Sequence, residues 1–203
     1  MRRGVKTLLD VGTGDGIRAH RIATAAQIEY LVLADPNPNM LALAQQTPAN
    51  EYHLLSAEEL SQLQNQRFNA ITCLWNVLGH ISPQINRLIS LRNIYKLLEP
   101  DGTFIFDINN RYNAAAYGWK TVLKNIKADM VKPGETNGDV TYNLDVDNVS
   151  IPAMGHVFSP REINSLLRKT GFFIRKTQVI DYKTGEPKKS LFAGQLLYEV
   201  EKR

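Results

Sequence analysis

Short apolar runs alternate with helix-like stretches along the first half of the chain, and this alternation limits the fold more than any other feature. The runs are aliphatic or β-branched over nearly their whole length, which is typical of strands buried on both faces. They lie at 5–11, 30–34, 51–55, 68–74 and 103–108. Helices are predicted between them, at 17–26, from 38 to about 46, at 57–63 and at 83–98. We therefore predict an α/β fold, a doubly wound and mostly parallel sheet between two layers of helices.

Length and composition fit one such domain. The chain has 203 residues, of which 43% are hydrophobic and 22% charged, enough for one full core and too few for two ordinary domains. No apolar run approaches the ~20 residues of a membrane span, and no signal-peptide segment follows the N-terminus. The single cysteine, Cys73, excludes an internal disulfide and a cysteine-cluster metal site, so no metal is expected. These features predict a cytoplasmic protein without a membrane partner.

The second half of the chain departs from the alternation. Residues 110–158 are polar and weakly patterned, and we predict that they form an insertion after the fifth strand, with a helical part and an extended hairpin. A helix is predicted to start at Ser159 and to stop at Gly171. Two extended runs, 172–181 and 191–200, follow without a helix between them and should pair antiparallel. We interpret residues 1–203 as one domain in which the insertion caps the substrate.

The first strand runs directly into a turn made almost wholly of small residues, Asp10-Val11-Gly12-Thr13-Gly14-Asp15-Gly16. Glycines let a ligand approach the backbone closely, and the helix that follows offers free N–H groups. The second strand ends on Asp35, a carboxylate that can accept both hydroxyls of a ribose. A glycine loop with a ribose-binding acid predicts a nucleoside-containing cofactor.

Two common nucleotide motifs do not fit this turn. The third glycine of the dinucleotide fingerprint would fall on Ile17, a branched side chain. A phosphate-binding P-loop is excluded because no Gly-Lys-Ser or Gly-Lys-Thr follows the glycines.

With these motifs the chain resembles the class I S-adenosylmethionine-dependent methyltransferases. Segment 8–16 is similar to the first motif of that family, and Asp35 to its ribose-binding acid. Further similar segments follow in the family's order, at 56–60, 68–74, 97–104 and 158–172. The resemblance implies a seven-stranded sheet whose last strand is antiparallel, S-adenosyl-L-methionine as cofactor and S-adenosyl-L-homocysteine as its product.

The resemblance also implies roles for individual residues. The residues implied to hold the methionine part of the cofactor are Asp10, Gly12, Thr13, Gly14 and Gly16. Those implied for the nucleoside are Asp35 at the ribose and Pro36, Asn37, Ser56, Ala57 and Glu58 around the adenine, and Leu74 and Trp75 would lie beside the cofactor. Ser56 departs from the pattern, because many relatives carry an Asp there. The adenine amino group would then have a hydroxyl or Glu58 as its partner.

Candidate substrate residues follow the fourth and fifth strands. His80 lies where the mouth of the active site is expected, and we interpret it as a candidate catalytic base, with packing or capping as the alternative. Asn76, Asp107 and Asn109 are candidate substrate contacts at the same edge of the sheet. Tyr112, in the insertion, is a further candidate.

The predicted function is methyl transfer to an N, O or C nucleophile of a small molecule. The leaving group is a neutral thioether, so the enzyme mainly aligns the reacting atoms, and a base is needed only where the nucleophile must lose a proton. An RNA or protein methyltransferase and a catalytically silent nucleotide-binding module stay open as alternatives. The formal net charge of +4 permits a nucleic-acid partner but does not demand one.

Only seven residues precede Leu8, where the family usually has a helical segment that closes over the cofactor. We therefore expect this lid to be absent, the cofactor cleft to be unusually open, and residues 110–158 to cover the substrate alone.

Overall fold

The structure, a computed structural model that describes residues 4–146 and 149–203, contains one large β-sheet and a separate hairpin. In chain order the strands are β1 (Thr7–Val11), β2 (Tyr30–Ala34), β3 (Glu51–His53), β4 (Phe68–Cys73), β5 (Leu98–Ile108), β6 (Asp139–Val146), β7 (Val149–His156), β8 (Phe173–Ile180), β9 (Pro187–Lys188) and β10 (Gln195–Glu201). Strands β6 and β7 form the hairpin, and all others belong to the sheet.

Seven α-helices are present in the described part of the chain. They are α1 (Ile17–Ala26), α2 (Pro38–Ala44), α3 (Val77–His80), α4 (Gln84–Leu97), α5 (Ala114–Tyr117), α6 (Trp119–Val131) and α7 (Pro160–Thr170). Two 3-10 helices cover Ala57–Leu63 and Leu191–Ala193. Within the same described residues, no helix combines the length and the apolar character needed to cross a membrane.

The strand order of the sheet is β3-β2-β1-β4-β5-β10-β8-β9. The first five strands pair in parallel, and β10 is antiparallel to both β5 and β8. The predicted doubly wound sheet with an antiparallel last strand is thus confirmed, although it has eight strands instead of seven, because β9 adds a two-residue strand at the edge beside β8. Strands β2 and β4 flank β1, so the strand order reverses there. In such sheets, ligands bind at the carboxyl ends of the strands beside the reversal.

Both faces of the sheet are covered by helices. Leu9 of β1 packs in the larger core with Ile94 of α4 and Leu167 of α7. Its neighbour Leu8 points to the other face and packs in a smaller core with Ala19 of α1. Burial on both faces confirms the three-layer arrangement and explains why the strands are apolar throughout.

The single cysteine lies inside this core. Cys73 is fully buried near the end of β4, and burial raises the pKa of its thiol well above the ordinary range. It is a packing residue, as its apolar strand predicts.

One boundary differs from the sequence prediction. Strand β5 begins at Leu98, whereas the sequence predicts a strand from residue 103, because Leu98 pairs with Phe68 before the register shifts. Asp101 lies at a kink with a left-handed backbone (φ 61°), and its N–H donates to the carbonyl of Lys202. The strand is therefore longer than predicted and kinked near its start.

The two ends of segment 110–158 meet at the sheet. Asn110 forms a parallel bridge with Phe158, and the N–H of Phe158 donates to the carbonyl of Asn109. The Asn110 side chain donates to the carbonyls of Leu191 and Gly194, which fixes the segment against the loop before β10. Helices α5 and α6 and the β6–β7 hairpin form the body of the segment.

A buried ionic network, defined here as Arg87, Arg111, Asp129, Asp139, His156 and Glu162, joins this segment to the core. Arg111, 2% exposed, pairs with Asp129 and, at 3.3 Å, with Glu162 of α7. The ring nitrogens of His156 lie 2.7 Å from Asp139 and 2.8 Å from Glu162.

The network predicts the effect of removing Arg111. Arg111→Leu leaves Asp129 without its ion-pair partner and Glu162 with His156 alone, and we expect it to lower the free energy of unfolding by about 3–5 kcal/mol. Arg92→Leu, at an exposed position of α4, is the matched control and should change stability by less than about 0.5 kcal/mol. Urea denaturation measures both, and equal effects of the two substitutions would contradict the structural role of the network.

Candidate functional site

The glycine loop connects β1 to α1 at the carboxyl edge of the sheet. The N–H groups of Gly12 and Thr13 both donate to the carbonyl of Ala34, the last residue of β2, at 2.8 and 3.1 Å. Gly12 has φ 68°, and a Cβ there would lie 2.6 Å from a methyl of Val77. Gly16 has φ 75°, and a Cβ there would lie 3.0 Å from a methyl of Leu33. The loop therefore needs glycine at both positions for backbone conformation and for space.

Gly14 differs from these two, because its open side faces no protein atom. It has φ 61°, and a Cβ placed there would meet nothing within 4 Å. Its N–H donates to Asp35 Oδ2 at 2.8 Å, and the N–H of Asn37 donates to Asp35 Oδ1 at the same distance. Each carboxylate oxygen has a second lone pair, so Asp35 can still accept hydrogen bonds from a ligand beside the loop.

The residues after Asp35 form the start of α2. The side chain of Asn37 accepts from the N–H groups of Asn39 and Met40, so it caps the helix, and Pro38 occupies the first helical position. Pro36 and Asn37 are both exposed beside the loop. The predicted adenine contact of these two residues stays a prediction.

Ser56, Ala57 and Glu58 lie at the start of the first 3-10 helix. The backbone N–H of Ser56 donates to the Glu59 side chain at 2.9 Å. The side chain of Asn93 in α4 donates to the carbonyls of Ala57 and Glu58. These bonds hold the segment that sequence comparison implies for the adenine edge.

The carboxylate of Asp10, which is buried, and the guanidinium of Arg18, which is partly buried, lie under the glycine loop. Asp10 is fully buried, its Oδ1 accepts from the Thr72 hydroxyl, and its Oδ2 lies 3.5 Å from Arg18 Nη2. Burial raises the pKa of Asp10, and the charge of Arg18 opposes that rise. Asp10 Oδ2, Thr13 Oγ1 and two guanidinium nitrogens of Arg18 are buried without a hydrogen-bond partner. Unsatisfied buried polar atoms of both charges indicate a site for a ligand that carries both charges.

Sequence reasoning missed Arg18. One signal was available: a cation in the first turn of a helix opposes the helix dipole, so its position needs another explanation.

The turn after β4 has an unusual backbone that Asp107 holds in place. Trp75 and Asn76 are both left-handed, with φ 71° and 56°. Their N–H groups donate to the two oxygens of Asp107 at the end of β5, at 2.6 and 3.2 Å. The hydroxyl of Tyr182 donates to the same carboxylate. A left-handed backbone costs a non-glycine residue on the order of 1–2 kcal/mol, and the shared acceptor offsets that cost.

Trp75 and Tyr182 form a partition in the cleft. Their rings are stacked with centroids 6.3 Å apart, and Trp75 is 71% exposed. A smaller cavity of about 170 Å³ lies on one side and is lined by these two rings together with Arg18, Leu74 and Asp107. Tyr182 lies in a region that the sequence predicts as a solvated turn, so sequence reasoning did not find it.

The larger cavity, of about 640 Å³, lies on the other side of the same rings. That volume is within the ~300–1,000 Å³ range of small-molecule sites. The core of the fold contributes Asn76, His80 and Asn109 to its walls, and segment 110–158 contributes most of the remaining lining. The structure thus brings two predicted substrate residues, Asn76 and Asn109, and the candidate base His80 together in one cavity.

His80 is the last residue of α3 and faces the insertion. Its Nδ1 lies 3.5 Å from the hydroxyl of Tyr142 in β6. The ring is exposed to the cavity, so its other nitrogen is accessible to a ligand.

The side chains of two predicted substrate residues, Asp107 and Tyr112, already form hydrogen bonds with other residues of the protein. Asp107 uses its oxygens for the turn and for Tyr182, as described above. Tyr112 is not among the residues that line either cavity, and its hydroxyl donates to Asp129 at 2.8 Å. The insertion instead presents Tyr117 and Tyr142 to the larger cavity.

In residues 4–146 and 149–203, no group of three or more His, Cys, Asp or Glu side chains is arranged to hold a metal ion.

The position of Asp107 predicts a pH-dependent stability. Burial raises the pKa of this carboxyl from 3.8 to about 6, against the opposing effect of its hydrogen bonds to Trp75 and Asn76. The folded protein then holds the proton more tightly than the unfolded chain, so stability is lost as the pH rises from about 4 to about 6, by up to roughly 3 kcal/mol. Asp107→Asn removes this dependence. Relative to the native protein, its free energy of unfolding in urea should therefore rise across that range, and a constant difference between the two proteins would contradict the assignment.

Comparison with known proteins places this geometry in a family. A family model described as a methyltransferase domain matches residues 2–177. A glycine/sarcosine N-methyltransferase of Parasynechococcus marenigrum is 32% identical over 112 residues, 53% of this chain and 39% of the relative. A ubiquinone biosynthesis O-methyltransferase of Hydrogenovibrio crunogenus is 26% identical over 184 residues, 87% of this chain and 66% of the relative. The chain thus spans less than two thirds of the length of each of these relatives.

Solved structures agree with the fold. An S-adenosylmethionine-dependent methyltransferase from Clostridium acetobutylicum superposes with a TM-score of 0.68 at 16% identity, covering 97% of this chain and 84% of that one. The family model covers most of the chain, and the motifs lie at the sheet edge where such folds bind ligands. The chain belongs to the methyltransferase-domain family, and its resemblance to the class I S-adenosylmethionine-dependent methyltransferases is confirmed.

Proposed function

We propose that this protein transfers the methyl group of S-adenosylmethionine to a nucleophilic N, O or C atom of a small molecule. The observation that carries the proposal is the buried Asp10–Arg18 pair with unsatisfied polar atoms, directly under a glycine loop whose open side faces no protein atom.

Residues along the cleft have the chemistry that each part of the cofactor requires. The methionine part carries an ammonium and a carboxylate, which match Asp10 Oδ2 and the guanidinium of Arg18, atoms that form a 3.5 Å ion pair but have no hydrogen-bond partner. Gly14 leaves space for the cofactor to approach the backbone. Asp35 keeps acceptor capacity for the ribose hydroxyls. Ala57, at the start of the neighbouring 3-10 helix, supports the adenine position that family resemblance implies.

The chain's own residues then align and shield the reacting groups. When bound, S-adenosylmethionine supplies an electrophilic methyl group on a sulfonium with a neutral leaving group. Asp107 fixes the Trp75–Asn76 turn, so the Trp75 and Tyr182 rings border both the cofactor side and the acceptor side of the cleft. Preorganised alignment of this kind contributes most of the rate where no group needs activation.

Segment 110–158 acts as the cap over the acceptor in this proposal. It supplies most of the lining of the larger cavity, and the ionic network fastens it to α4 and α7. A cavity of about 640 Å³ has room for a small molecule, which supports a small-molecule acceptor over RNA or a folded protein. His80 faces this cavity and takes a proton from acceptors that must lose one.

Calorimetry tests the cofactor site. We expect S-adenosylhomocysteine to bind the native protein, and Arg18→Met to weaken that binding about tenfold or more because the ligand carboxylate loses a buried charged partner. The same variant should bind 5′-methylthioadenosine, which lacks the amino-acid group, as the native protein does.

Arg21→Met, at an exposed position of α1, is the matched control and should bind both ligands normally. Equal weakening of both ligands by Arg18→Met would exclude a contact with the amino-acid group. A native protein that does not bind S-adenosylhomocysteine would overturn the proposed function, and binding without turnover of any acceptor would indicate the catalytically silent module.

The base role of His80 is tested by His80→Gln. We expect kcat to fall about 10²–10⁴-fold with the most active acceptor from a panel of small amines, alcohols and phenols, because proton removal loses its acceptor. The affinity for S-adenosylhomocysteine should not change, since His80 lies in the acceptor cavity. An unchanged kcat would eliminate His80 as the base.

A further inference from the structure

We infer that the larger cavity accepts a hydroxylated amine, such as an amino sugar or an amino alcohol, that carries neither a carboxylate nor a phosphate. This inference rests on the proposed methyl transfer and names the acceptor class of the same site.

The charges around the cavity exclude an anionic acceptor. Among the described residues, no Lys or Arg side chain lines it. His156 does line it, but both of its ring nitrogens are bound to carboxylates. Arg18 lines the smaller cavity, beyond the partition of Trp75 and Tyr182. A carboxylate or phosphate in the larger cavity would therefore lose its hydration without gaining a Lys or Arg partner.

The cavity is better matched to a cation. Asp139 contributes a carboxylate to its wall; Oδ1 is engaged by His156 and lies 3.7 Å from Arg87, and in the described residues Oδ2 has no protein partner and can bind a ligand. The faces of Trp75, Tyr117, Tyr142 and Tyr182 are electron-rich surfaces that attract an ammonium group. Together these groups favour a substrate that arrives as a protonated amine.

Neutral hydrogen-bonding groups cover much of the remaining wall. Thr121 and Asn125 lie four residues apart on α6, which places them on one face of that helix, and Tyr117 at the end of α5 lines the same cavity. Asn109 and Asn137 add two amides from other elements. In the described chain, the protein makes no hydrogen bond to the side chains of Asn109 and Thr121, so these groups are available to substrate hydroxyls.

The apolar part of the lining is small. Beyond the aromatic rings, the aliphatic side chains in the wall are Val140 and Val157. An isoprenoid quinol would leave the amides and hydroxyls without partners, which costs free energy in a buried site. A hydroxylated amine satisfies both the charge and the hydrogen-bonding pattern.

Methyl transfer to such an amine requires the loss of one proton and the formation of one N–C bond. The ammonium gives one proton to the imidazole of His80, and the freed nitrogen lone pair forms the new N–CH3 bond. The electron pair of the breaking C–S bond stays on the cofactor sulfur. The product leaves as an N-methyl ammonium ion, and His80 returns its proton to solvent.

Probe binding to the S-adenosylhomocysteine-loaded protein tests the inference. The hydroxylated amines are D-glucosamine, D-galactosamine and serinol, and the comparison probes are glycine, sarcosine, O-phosphoethanolamine and catechol. We expect at least one hydroxylated amine to bind about tenfold more tightly than every comparison probe, a difference of ~1.4 kcal/mol, and to be N-methylated when S-adenosylmethionine is supplied. Equal or tighter binding of any comparison probe, or no binding of the three hydroxylated amines, would overturn the inference.

A substitution that adds a charge to the cavity wall provides a second test, whose outcome does not depend on one particular probe. Thr121→Lys adds a cation to the cavity wall and should weaken amine binding about tenfold while improving the binding of glycine or O-phosphoethanolamine. Thr136→Lys, exposed on the same segment but outside the cavity lining, should leave all probes unchanged. If Thr121→Lys leaves amine binding unchanged, the amine does not occupy this cavity.

The two proposals fail in distinguishable ways. Loss of S-adenosylhomocysteine binding by the native protein would count against methyl transfer itself. Retained cofactor binding with preferred binding of an anionic or apolar acceptor would leave methyl transfer in place and reject only the acceptor class.

Discussion

The geometry of the cleft depends on one carboxylate, Asp107, which accepts the N–H groups of two successive left-handed residues. These two hydrogen bonds offset the cost of the left-handed backbone at Trp75 and Asn76. The same carboxylate takes the Tyr182 hydroxyl from the far end of the chain. One buried group thus sets the position of both rings that divide the two cavities. Burial raises the pKa of Asp107, and the hydrogen bonds from Trp75 and Asn76 oppose that rise.

The ionic network has a second function besides stability. Asp139 and His156 bind other members of the network and also line the larger cavity. A substitution chosen to change acceptor preference at either residue would therefore loosen the segment that forms the cavity. Acceptor preference is more freely adjusted at Thr121 or Asn125, which line the cavity without belonging to the network.

The parts of the fold that local patterns encode were predictable from the sequence. The glycine loop, the acid at Asp35 and the cap at Ser159, which accepts from the N–H of Glu162, are local signals. Tyr182 could not be predicted as a site residue, because its role follows from a contact with a carboxylate 75 positions earlier in the chain. Arg18 was hidden for a similar reason, since its partner Asp10 lies on another element. Tertiary packing, which single-sequence patterns do not report, decides both positions.

The bridge between Asn110 and Phe158 has a consequence for how such proteins diversify. A segment whose two ends are neighbours on the sheet can be exchanged as a unit without changing the strand order beneath it. The exchange is constrained, because Arg87 and Glu162 lie outside the segment and carry charges that the incoming segment must balance. Grafting another cap onto this core, or this cap onto another core, therefore requires transplanting those two residues with it. The unit that would have to be exchanged is therefore larger than the continuous segment itself.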